Sequence, residues 1–62
     1  MNIISILAKE LGLNEKYVEN TVKLIDDDNT IPFIARYRKE ATGNLSDELL
    51  RKLDVRLTYL KN

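Results

Sequence analysis

Three interruptions cut this chain into short pieces whose apolar residues keep helical spacing. That punctuation limits the fold to a small bundle of helices. The interruptions are Gly12-Leu13-Asn14, the run Asp26 to Thr30 with Pro32 close behind, and Ala41 to Ser46. Glycine and asparagine tolerate positive φ, and asparagine, serine and threonine satisfy free amides at helix starts, so each interruption both ends one helix and starts the next. The pieces must hold together by packing alone. The 62 residues include no cysteine and no histidine, which removes disulfides and the usual zinc ligands.

The first piece, Met1 to Leu11, places Ile3, Ile4, Leu7, Ala8 and Leu11 on one helical face, with Gly12 as its C-terminal cap. Ile6 falls outside that face. Asn14 caps the second helix, with Leu13 set to pack on Val18 as a hydrophobic staple. Tyr17, Val18, Val22, Leu24 and Ile25 supply its apolar positions. Asp26-Asp27-Asp28 ends it, since carboxylates are unfavourable at the negative end of a helix dipole. The loop lacks the alternating oxygen ligands, central glycine and later glutamate of an EF-hand, so these acids read as a solvated helix end. Asn29 is expected to take the left-handed turn conformation.

Thr30 reads as the cap of a third helix, Pro32 to about Arg38, with Pro32 where its missing N–H costs nothing. Phe33 and Tyr37 are four apart and stack on one side. Ala41 to Asn44 reads as a turn. Ser46 then caps a fourth helix in which Leu50, Leu53, Leu57 and Leu60 form a coiled-coil-like seam. Asp47–Arg51 and Glu48–Lys52 are acid-before-base pairs four apart. The leucine pattern is still in phase at Leu60, so the last helix is expected to be truncated, as in a fragment of a longer chain. The expected fold class is all-α: a small four-helix orthogonal domain with helix-turn-helix character.

Formal net charge is zero but unevenly spread. Residues 1–31 carry three lysines against six acids, giving −3, and residues 32–62 carry seven basic residues against four acids, giving +3. Such asymmetry can mark a half that faces nucleic acid, or simply a dipolar surface. No apolar run approaches the roughly 20 residues of a membrane span, so the chain is expected to be soluble, cytoplasmic and without a membrane partner. Without histidine, a glycine-rich phosphate loop or a paired set of acids, no catalytic residue, cofactor or metal site is expected.

Nucleic-acid binding and scaffolding both remain open from the residues. In the first, the second and third helices form a helix-turn-helix, Arg36, Arg38 and Lys39 meet phosphates, and Arg51, Lys52 and Arg56 extend the patch. In the second, Arg36 or Arg38 pairs with Glu40 or with Asp26 to Asp28 and pins helices together. The seam Leu50, Leu53, Leu57 and Leu60 then docks on other domains of a longer chain, or self-associates in their absence. Exposure of the arginines separates the two.

The stretch Thr30 to Leu45, TIPFIARYRKEATGNL, resembles the signature of the N-terminal domain of Tex-like bacterial transcription accessory proteins. Thr30 to Glu40 match as they stand, as do Thr42, Gly43 and Leu45, and Arg56, Leu57, Tyr59 and Leu60 fit the following helix. Asn44 replaces a frequent second glycine and tolerates the same backbone conformation. The resemblance covers residues 1–62 and implies one helical domain of a much longer, multidomain protein. It also implies RNA or DNA, and the transcription machinery, as partners. In that family an RNase H-like domain, a helix-hairpin-helix region and a C-terminal RNA-binding OB-fold lie elsewhere, and the main nucleic-acid surface is usually placed on the OB-fold.

Overall fold

The computed structural model describes residues 2–62 and is all-α among them. Five helices follow in order: α1 (Ile3–Leu11), α2 (Glu15–Asp26), α3 (Ile31–Tyr37), α4 (Lys39–Thr42) and α5 (Asp47–Lys61). Met1, included in the expected first helix, lies outside the described residues. Asn2 is the N-cap of α1, its Oδ1 accepting from the Ile4 and Ser5 amides at 3.1 and 3.4 Å. Gly12 closes the helix in the left-handed conformation at φ 67°. The caps expected at Asn14, Thr30 and Ser46 all form, with side-chain oxygens accepting from the Lys16, Phe33 and Leu49 amides.

Two local expectations are corrected. The left-handed residue after α2 is Asp28, at φ 67°, not Asn29. Asn29 is held otherwise: its backbone N–H and its side-chain Nδ2 both donate to the Leu24 carbonyl, at 3.2 and 2.9 Å. The expected count of four helices also becomes five, because the segment after Arg38 makes one further helical turn. Arg38 leaves helical geometry at φ −123°, ψ 38°, and its carbonyl accepts from the Ala41 and Thr42 amides. Lys, Glu and Ala are good helix formers, and Gly43 at φ 69° caps the turn by donating to the Lys39 carbonyl.

Helix α5 is the spine. It packs against α1, α2 and α3, while α4 lies on α2 and α3. Leu7 and Ala8 of α1, Val18 and Val22 of α2, and Leu53 and Leu57 of α5 form the main buried cluster. Ile3, Ile4, Leu11, Leu13, Ile25, Leu45 and Leu60 close around it. Ile34 of α3 and Leu50 of α5 are fully buried too. The seam Leu50, Leu53, Leu57 is therefore core of this domain, with Leu60 at its margin. This corrects the expectation of a surface that docks on other domains or on a second copy. A seam needs a facing helix, and here α1, α2 and α3 supply it within the same chain.

Two buried threonines are satisfied locally. Thr21 Oγ1 donates to the Tyr17 carbonyl at 2.7 Å, and Thr42 Oγ1 to the Lys39 carbonyl at 3.4 Å. Asn20 ties α2 to α4, its Nδ2 donating to the Ala41 carbonyl at 3.0 Å. That bond fixes the short turn bearing Lys39 against the body of the domain.

Candidate nucleic-acid interface

Helix α3 is short because its start and stop are both enforced. Thr30 and Pro32 set its first turn, and the backbone break at Arg38 ends it. Ile34 faces inward and is fully buried. Phe33 and Tyr37 flank it and stay 42% and 59% exposed. Their ring centroids are 5.2 Å apart at an interplanar angle of 45°. The Arg36 guanidinium carbon stands 5.5 Å from the centre of the Tyr37 ring, within cation–π range.

The three basic residues of this stretch are exposed. Arg38 Nε lies 3.9 Å from the Glu40 carboxylate, a loose contact between exposed groups. Among the described residues, neither Arg36 nor Lys39 forms an ion pair. The acids Asp26 to Asp28, offered above as partners for these arginines, are used differently. Asp26 takes Lys61 Nζ at 2.6 Å and ties the end of α5 to the end of α2. Among the described residues, no group of acids is arranged to hold a metal ion.

The basic residues of α5 are in another situation. Arg51 pairs with Asp47 at 3.0 Å within the helix. Arg56 makes a two-pronged pair with Glu10 of α1, Nε and Nη2 donating to the two carboxylate oxygens at 2.8 and 2.7 Å. Its guanidinium also lies 4.9 Å from the Tyr59 ring centre. The hydrogen bond from Arg56 holds the Glu10 carboxyl below its ordinary pKa, and Glu10 in turn pushes Arg56 up. Lys52 is exposed, and Glu48, its expected partner four residues earlier, makes no ion pair with it.

Arg51, Lys52 and Arg56 share a shallow groove of about 720 Å³ with Asp47 and Glu48, over a floor of Leu11 and Val55. None of Arg36, Arg38 or Lys39 lines it. The six candidate residues thus fall into a cluster at α3–α4 whose one ion pair is the loose Arg38–Glu40 contact, and a largely neutralised one on α5. The Glu10–Arg56 pair spans 46 positions and carries no local sequence signal.

The family profile described as the Tex-like protein N-terminal domain matches residues 1–62. The chain belongs to that family. Protein tex of Bordetella pertussis is 58% identical over 59 residues, which is 95% of this chain and 8% of that protein. The transcriptional accessory protein Tex of Neisseria gonorrhoeae is 52% identical over 61 residues, 98% of this chain and 8% of its own length. The human S1 RNA-binding domain-containing protein 1 is 37% identical over 60 residues, 97% of this chain and 6% of its own length. This Tex-like domain therefore spans less than a tenth of the curated relatives it matches. No solved structure matches it. No helix among the described residues is long and apolar enough to cross a membrane.

Proposed function

We propose that this Tex-like domain is a non-catalytic nucleic-acid contact module of a transcription accessory protein, acting in the cytoplasm. Arg36, Arg38 and Lys39 are its phosphate contacts. The observation that carries this reading is the exposure of three cations within four residues, none held in a close ion pair. An arginine already clamped by a carboxylate must break that pair to reach a phosphate, which is why Arg51 and Arg56 are weaker candidates. Lys52 alone of the α5 cations is available as a secondary contact. The names of two relatives, a transcriptional accessory protein and an S1 RNA-binding domain-containing protein, belong to much longer chains and support the reading only in kind.

The test is fluorescence anisotropy of labelled single-stranded RNA, single-stranded DNA and duplex DNA at low and near-physiological salt. The expected result is binding that weakens steeply with salt and is lost when Arg36, Arg38 and Lys39 become Ala in a folded protein. A second reading is a scaffold that docks on other domains or on the transcription machinery. It is favoured by Val55 and Tyr59, each 67% exposed and four residues apart on α5. Absence of binding even at low salt would leave that reading in place.

A further inference from the structure

The exposed residues of α3 suit unpaired bases better than a duplex. A helix that reads the major groove presents polar side chains to base edges, typically arginine, asparagine or glutamine. The exposed side chains of α3 are Pro32, Phe33, Arg36 and Tyr37, so only Arg36 is a residue of that kind, and Tyr37 adds a single phenol hydroxyl. Its seven residues extend about 10 Å at 1.5 Å per residue, less than two full turns. Phe33 and Tyr37 instead present two neighbouring rings at the surface, with Arg36 over one and Arg38 and Lys39 just beyond. Neighbouring aromatics flanked by cations form a stacking platform for single strands: the rings take the bases while the cations follow the backbone.

We infer that the ligand of this surface is a single-stranded nucleic acid whose bases stack on Phe33 and Tyr37. This rests on the phosphate-contact reading above and adds the class of nucleic acid and two residues. It separates two contributions. Arg36, Arg38 and Lys39 give affinity for any polyanion, whereas Phe33 and Tyr37 give the preference for strands with accessible bases.

The test uses the 62-residue chain and three labelled probes of equal phosphate number: a single-stranded RNA, an abasic single strand and a duplex. The proteins are wild type, Tyr37→Leu, Phe33→Leu/Tyr37→Leu, and Arg36→Ala/Lys39→Ala. Leucine keeps helix propensity, and both rings are exposed, so helical circular dichroism should be retained. The single variant carries the test if the double variant unfolds. Wild type should bind the base-bearing strand on the order of tenfold more tightly than the abasic strand or the duplex. The aromatic variants should lose that margin and keep the abasic affinity. Equal affinity of wild type for all three probes, abolished by Arg36→Ala/Lys39→Ala, would overturn the stacking inference and leave the phosphate reading standing. No binding to any probe at low salt would overturn both.

Discussion

Gly43 holds φ at +69°, and a Cβ added there would come within 2.7 Å of the Tyr17 ring. Gly12 has nearly the same backbone, φ +67°, with nothing within 4 Å of an added Cβ. The two positions therefore separate backbone strain from crowding. Gly12→Ala carries only the left-handed strain, about 1–2 kcal/mol. Gly43→Ala carries that strain and must also push the Tyr17 ring away from the α4 turn. Thermal melts should show both variants destabilised, with Gly43→Ala melting lower. Equal midpoints would mean that the ring yields freely. Gly12 was legible as a helix end and Gly43 as a turn residue, but the ring against Gly43 was not legible, because it lies 26 positions away in sequence. The choice between Asp28 and Asn29 for the left-handed turn was not legible either. Both residue types tolerate that conformation, and only the bonds from Asn29 to Leu24 decide it.

At the scale of elements, the leucines of α5 were read correctly as a periodic seam but given the wrong neighbour. Periodicity says that a face is buried and is silent on whether the covering helix is in the same chain. Since Leu53 is fully buried in a domain this small, Leu53→Ala should cost about 2–5 kcal/mol and leave little folded protein at room temperature. Chemical denaturation read by circular dichroism measures this. A folded variant that merely changes its oligomeric state would contradict the internal seam. Helix α4 was missed for a related reason: a single turn has no periodicity to detect, and tertiary support from Asn20 helps to hold it.

The α1–α5 pair can be followed by pH. Arg56 lowers the pKa of Glu10 in the folded state, so the pair's contribution is fully present above the ordinary glutamate value, about 4.3, and is lost as pH falls through the lower folded value. Both side chains are more than a third exposed, so solvent and salt screen the pair. Thermal midpoints of wild type and Glu10→Gln should therefore differ at neutral pH and low salt. They should converge both in acid and in high salt. A gap that persists unchanged in acid would assign the effect of Glu10 to packing instead of charge.

Across the whole molecule, the fold rearranges the charge asymmetry seen along the sequence. Acids of the first half meet bases of the second in Arg56–Glu10 and Lys61–Asp26, so part of the +3 of residues 32–62 is neutralised by part of the −3 of residues 1–31. Summing charge along the sequence cannot anticipate this, because it depends on which helices become neighbours. Among the described residues, the bases of 32–62 that remain without a close partner are the cluster Arg36, Arg38 and Lys39, together with Lys52 on α5. This fixes a number for the binding experiment. A single-stranded ligand releases counterions with a slope of log affinity against log salt of about −0.7 per phosphate neutralised. Three contacts from the α3–α4 cluster give a slope near −2, whereas all six candidate cations would give about −4. A titration of single-stranded RNA across a tenfold range of salt distinguishes these. The expected slope is the shallower one, falling further with each of Arg36→Ala, Arg38→Ala and Lys39→Ala and unchanged by Arg56→Gln. A slope near −4 that becomes shallower with Arg56→Gln would show that the ligand displaces Glu10 and draws α5 into the interface.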